Sequence, residues 1–219
     1  MSIDDKRSVL RNLAGRPHVE FELGCGSQKK IAEAIGIDAI DSPCVDLVGD
    51  VFEVLGAIPS RCAGAVHAFH FMEHIADVPA LLHEVARILK PGARLNIVVP
   101  HFSNPYYYSD LTHKTFFGLY TFSYLACEHL FRRKVPNYGQ RPEFDLVAVN
   151  LVFKSPRPFY GRYAFKRVLG LIFNLNRWTR EFYEENLCYL FPCYEIHYEL
   201  RTRTEDAVPH MAAPAPLPR

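Results

Sequence analysis

Residues 101–117, His101-Phe102-Ser103-Asn104-Pro105-Tyr106-Tyr107-Tyr108-Ser109-Asp110-Leu111-Thr112-His113-Lys114-Thr115-Phe116-Phe117, concentrate side chains that can move a proton. An imidazole titrates near neutrality, and a carboxylate three positions away can orient it toward a hydroxyl. His113 with Asp110 is therefore the first candidate for a general base, followed by His101 and then His70. The same spacing also suits a turn in which Asp110 caps a helix opening at Thr112 and His113 only packs. Tyr106, Tyr107 and Tyr108 either line a sugar-like or aromatic acceptor or roof a neighbouring ligand.

A second set of residues could hold a ligand. Glu22, Asp38 and Asp50 each close an apolar run, and Phe21-Glu22-Leu23 leads at once into Gly24-Cys25-Gly26-Ser27. In a parallel sheet such acids project from one carboxyl edge, where each can accept hydrogen bonds from a different part of an adenosine-bearing molecule. Asp38 lies 16 residues beyond Glu22, near the roughly 20 expected of a ribose-binding acid. The competing reading makes all three acids helix caps or turn formers. The third glycine of a dinucleotide turn is absent.

Residues 18–23, 35–38, 45–50, 64–70 and 94–100 have the apolar, β-branched character of strands that can present these groups, and 144–153 and 194–201 supply two more, the latter with clear alternation. Helices are expected at residues 28–34, at 78–89 before the Lys90-Pro91-Gly92 stop, at 121–131, and in a short N-terminal piece around Val9, Leu10 and Leu13. Residues 154–193 are too long for a hairpin loop and carry Phe159, Tyr160, Arg162, Lys166, Arg167, Trp178 and Phe182. They are expected to form an amphipathic helical insertion, either a cover on the sheet, a homodimer face, or a peripheral membrane contact through residues 158–183. The Pro- and Ala-rich residues 204–219 are expected to be a disordered tail.

In this order, Glu22-Leu23-Gly24-Cys25-Gly26, Gly36-Ile37-Asp38, Gly49-Asp50-Val51, His70-Phe71-Met72-Glu73-His74-Ile75 and Ala86-Arg87-Ile88-Leu89-Lys90-Pro91-Gly92 resemble the class I S-adenosylmethionine-dependent methyltransferases over residues 18–100. The resemblance is to bacterial members, many associated with surface-glycan or other specialised biosynthesis. It implies an α/β, Rossmann-like, seven-stranded doubly wound sheet, mostly parallel with the last strand antiparallel, in a single domain spanning residues 1–203. It implies S-adenosylmethionine as cofactor. Gly24 and Gly26 would approach its methionine part, and Glu22 its amino group. Asp38 would take the ribose hydroxyls, while Asp50, Val51 and Phe52 would frame the adenine and His70 would face the transfer site. Cys25 and Phe71 complete that set; Glu73 and His74 join the three tyrosines on the acceptor side.

The expected reaction is O-methylation of a sugar or glycan intermediate by in-line transfer with a histidine base. The alternatives are O- or N-methylation of a small natural product, and a cofactor-binding regulatory subunit without catalysis. His70-x-x-Glu73-His74 also matches the pattern of inverted zinc peptidases, but it begins at a strand end, and no metal is expected. A formal charge of +1, with 25 Lys+Arg against 24 Asp+Glu, gives no global field for nucleic acid. Six scattered cysteines without a Cys-x-x-Cys pair, a polar N-terminus and no long apolar run suit a cytoplasmic protein without a transmembrane segment.

Overall fold

A computed structural model describes residues 3–126, 130–136, 143–155 and 158–203. Its strands are β1 (Asp4–Asp5), β2 (Glu20–Leu23), β3 (Ile35–Asp38), β4 (Leu47–Val48), β5 (Ala63–Phe69), β6 (Leu89–Pro100), β7 (Phe144–Val152) and β8 (Glu195–Thr202). They form one eight-stranded sheet in the order β1-β4-β3-β2-β5-β6-β8-β7. From β4 through β6 all pairings are parallel, and β8 is antiparallel to both β6 and β7. Seven strands are those expected from the sequence. The eighth is the short β1, antiparallel to β4 at the outer edge. Because β8 runs against its neighbours, its first residues lie at the carboxyl edge of the parallel strands.

The helices are α1 (Val9–Asn12), α2 (Val51–Ala57), α3 (Val78–Ile88), α4 (Tyr160–Phe173) and α5 (Arg177–Asn186). In α3 the side chains of Val78, Leu81, Leu82, Val85 and Ile88 recur at helical spacing and are all buried, and Asp77 accepts from the Ala80 amide to cap its start. A capping box between Asn176 and Thr179 opens α5. The insertion between β7 and β8 is thus helical, as expected. It buries Leu169, Phe173 and Tyr183, leaving Tyr160, Tyr163, Phe165, Leu171, Trp178 and Phe182 exposed.

Alternation along the strands gives the sheet two unlike faces. Phe21, Leu23, Val66, Ala68, Leu95, Ile97, Ile196 and Leu200 are buried in one apolar core. The register places Glu22, His67, Asn96 and Glu199 side by side on the opposite face. There His67 contacts Glu20 and Asn96.

Two expected helices are absent. Residues 28–34 form turns and bends, and residues 121–131 contain only a short 3₁₀ turn, Thr121–Tyr124, among the described residues. In the first case the Glu22 carboxylate accepts from the Lys30 and Ile31 amides, which pins the crossover as a loop. The proposed tail at residues 204–219 lies outside the described residues.

Candidate active site

The carboxyl edge gathers two groups of polar side chains. The first surrounds the turn after β2. Gly24 sits at φ +64°, a conformation that favours glycine, and a Cβ there would lie 2.3 Å from Phe71 Cδ2. Phe71 therefore packs directly on the turn backbone. At Gly26, φ +59°, a Cβ would meet nothing within 4 Å, so this backbone borders open space. Asp38 Oδ2 accepts from the Gly26 amide at 2.7 Å and Oδ1 from Ile40 at 2.8 Å. Asp50 caps α2 through the Phe52 and Glu53 amides.

Glu22 departs from its expected place beside a ligand. It is 1% exposed and wholly engaged with the Lys30 and Ile31 amides, so it braces the loop beneath the turn. Cys25 is buried as well, and that burial, reinforced by Cys44, Asp38 and Glu22, pushes its thiol up to about 12. It is an uncharged packing group.

The second group centres on Glu195, the first residue of β8, which the sequence reading did not single out. Its buried carboxylate meets His70 Nε2 at 3.3 Å, His197 Nε2 at 2.8 Å and the Lys154 ammonium. Burial opposes its charge, but the hydrogen bonds from His197, His70 and Lys154 outweigh that and hold the carboxyl well below the usual range. His70 sits at φ +53° just past β5, its Nδ1 3.5 Å from Glu73 Oε1. Hydrogen bonds to Glu195 and Glu73 raise its pKa to about 9 against the opposing effect of burial. With both ring nitrogens facing carboxylates, His70 is a cation and not a proton acceptor. The signal that would have found Glu195 is its position, an acid at the entry of the strand that runs antiparallel to both its neighbours.

Residues 101–117 arch over this edge. His113 Nδ1 lies 2.9 Å from the Tyr107 carbonyl, and Nε2 lies 3.6 Å from Asp110 Oδ2. The carbonyl can only accept, so Nδ1 carries a proton, and in the neutral ring the lone pair is on Nε2. Asp110 thus stands on the reactive side of the ring instead of behind it. Asp110 does cap the following turn, accepting from the Thr112 amide and hydroxyl, which lowers its carboxyl pKa. No helix opens there.

His101 is displaced from the expected set. It is fully buried, with Nδ1 on Ser103 and Nε2 on Glu184 of α5, and has no access to an acceptor. Tyr107 is buried too, donating to the Thr115 carbonyl and packing against the His113 and Phe116 rings. Tyr108 donates to the Phe102 carbonyl, and Tyr106 alone of the three lines a cleft. That cleft, of 720 Å³, is bounded also by Val152, Lys154, Tyr163, Arg167 and Tyr194. It lies between the arch, the end of β7 and α4, and Lys154 joins it to Glu195.

A largely parallel sheet in this order, reversed at β8 and at the short edge strand β1, with a bare glycine turn flanked by strand-end acids, defines a class I S-adenosylmethionine-dependent methyltransferase. The chain belongs to the methyltransferase-domain family, whose model matches residues 11–137. No curated protein sequence matches it. Among solved structures it is similar to a presumed methyltransferase from Bacillus halodurans, at 14% identity over 90% of this chain and all of that one, with a TM-score of 0.51. It is also similar to the 16S rRNA (adenine(1408)-N(1))-methyltransferase from Catenulisporales acidiphilia, at 12% identity over 95% of each chain, with a TM-score of 0.50. At these identities the likeness is one of fold. S-adenosylmethionine is the cofactor, and the open space beside Gly26 with the adjoining Asp38 fits it. Among the described residues no helix is long and apolar enough to cross a membrane.

Proposed function

We propose that this enzyme methylates a hydroxyl of a sugar or glycan intermediate and that the Asp110–His113 pair receives the proton. When bound, S-adenosylmethionine supplies a methyl group on a cationic sulfur, which an aligned oxygen nucleophile displaces in line. Gly26 admits its methionine part against bare backbone, while Gly24, covered on its Cβ side by Phe71, sets the turn that places it. Asp38 keeps lone pairs for the ribose hydroxyls beyond those given to Gly26 and Ile40. Val51 and Phe52, set by the Asp50 cap, frame the adenine.

The observation that carries the acceptor assignment is the cleft beside Glu195, whose tyrosines and Lys154 combine ring faces with polar donors as a polyhydroxylated acceptor requires. His113 takes the hydroxyl proton through its bare Nε2, and the nearby Asp110 steadies the imidazolium so formed. The exposed aromatic side chains of α4 and α5 support a homodimer through that surface. The free cysteines among the described residues support a cytoplasmic setting.

The test is His113→Ala assayed against a panel of sugar, glycan and natural-product acceptors. The expected result is loss of turnover, by about two orders of magnitude or more, with cofactor affinity unchanged by calorimetry. Near-normal turnover would remove His113 from the mechanism. Methylation of natural products alone would reject the sugar assignment.

A further inference from the structure

Glu73 lies in the 3₁₀ turn Met72–His74 that follows β5, and its side chain is 2% exposed. Its backbone carbonyl accepts from the Lys114 and Thr115 amides, which draws the far end of the arch onto this turn. One carboxylate oxygen, Oε1, faces His70. The other, Oε2, is buried with no hydrogen-bond partner. His70 faces Oε1 alone, so Oε2 remains a buried lone-pair donor with no hydrogen-bond partner, which a bound cation would satisfy.

Two imidazoles stand beside this carboxylate. His74 and His113 meet edge to face with ring centroids 4.9 Å apart. One donor atom from each of Glu73, His74 and His113 lies within 4.8 Å of the other two. The surrounding hydrogen bonds fix which nitrogen of each ring is the donor. The Thr112 hydroxyl gives its proton to Asp110 Oδ1 at 2.6 Å, so its oxygen accepts from His74 Nδ1–H at 2.9 Å. The Tyr107 carbonyl accepts in the same way from His113 Nδ1–H. Both histidines thereby donate through Nδ1, so the neutral ring presents Nε2 as its free nitrogen, the arrangement that outer hydrogen bonds impose on metal-binding imidazoles.

We propose that Glu73, His74 and His113 bind a divalent transition-metal ion of the zinc class. Two imidazole nitrogens and one carboxylate suit such an ion and leave a coordination position open, whereas magnesium and calcium prefer oxygen donors throughout. This proposal departs from the sequence expectation of no metal. It also differs from the His70-x-x-Glu73-His74 spacing, because His70 turns to Glu195 and its place is taken by His113 from the arch. The role at the acceptor rests on the methyltransferase reading above. An acceptor hydroxyl on the open position is acidified by the ion. With the ion bound, His113 Nε2 is a ligand and no longer a base, so within the Asp110–His113 pair the proton passes to Asp110 in place of His113. The oxygen forms its bond to the methyl carbon as the carbon–sulfur bond breaks, and S-adenosylhomocysteine departs.

The experiment uses the full chain, stripped with chelator and titrated with Co²⁺ as a spectroscopic probe and with Zn²⁺ by calorimetry. One equivalent of Co²⁺ is expected, with visible d–d bands of a four- or five-coordinate nitrogen and oxygen site and no thiolate charge-transfer band. His74→Ala and His113→Ala should each weaken binding by about a hundredfold or more, and Thr112→Val, at an exposed position, by about tenfold or more. Circular dichroism checks that each variant is folded, and Thr112→Val stands in if a ligand variant is not. No stoichiometric binding, unchanged binding in His74→Ala and His113→Ala, or a thiolate band placing the ion on cysteines would each overturn the proposal. None of these readouts needs cofactor or acceptor. Metal binding can therefore fail while methyl transfer stands, and the reverse.

Discussion

The two halves of the carboxyl edge hold their charges by different means. Around β2–β4, each strand-end acid is satisfied by backbone amides close by in sequence: Glu22 by Lys30 and Ile31, Asp38 by Gly26 and Ile40, Asp50 by Phe52 and Glu53. Around β5–β8, the partners are side chains from distant elements, such as Lys154 and His70 on Glu195 or Glu184 on His101. A pocket wired to its own backbone is shaped as soon as its strands pair. A pocket wired through remote side chains exists only when the whole sheet and its insertion are in place.

The most damaging expected change falls in the first half. Gly24→Val combines a left-handed backbone with a clash on Phe71, and should cost roughly 3 kcal/mol or more. Urea unfolding with an unchanged midpoint would show that the turn is not the rigid part. In the second half, Glu195→Gln should cost about 1–3 kcal/mol by weakening charge-assisted hydrogen bonds. That deficit should depend on pH while the Gly24→Val deficit does not. Because the folded carboxyl of Glu195 is depressed, its contribution is present above the ordinary carboxylate value of about 4.3 and is lost as pH falls below it. A difference from wild type that stays constant from neutral pH to pH ~3 would contradict the ion-pair account.

Asp38→Ala should cost only about 1 kcal/mol of stability, in the manner of a lost cap, yet weaken cofactor binding by about tenfold or more. Glu195→Gln should leave that affinity within about twofold. Calorimetry giving the reverse ranking would dissolve the division between the halves. The smallest effect on stability, within about 0.5 kcal/mol, is expected for Tyr106→Ala at its exposed site in the cleft. It should raise the acceptor KM without altering cofactor affinity.

The same contrast explains what could be read from the chain. The seven principal strands were legible because one sheet face is apolar, so Ile196, Tyr198 and Leu200 alternate with His197, Glu199 and Arg201. Asp38 and the glycine turn were legible because strand, acid and turn are contiguous. The helix expected at residues 28–34 failed because helix-favouring Gln28, Lys29 and Lys30 adjoin a buried carboxylate that captures two of their segment's amides. Glu195 was invisible as a hub, since nothing near it in sequence points to Lys154 or His70. His101 and His113 look alike as letters. Only the packing of α5 against the arch makes one a buried strut and leaves the other with a lone pair to use.

The margins of the sheet constrain how copies of this chain can meet. On one side, a strand of only two residues, Asp4–Asp5, borders β4 and ends the ladder in adjacent acids. On the other, the β7 ladder is broken between Leu146 and Ala148, with the intervening Val147 exposed. A short acidic rim and a bulge are poor templates for an incoming strand. Neither rim invites fibre-like growth by strand addition, so any self-assembly is steered to the helical surfaces, where contact can close on itself and stop.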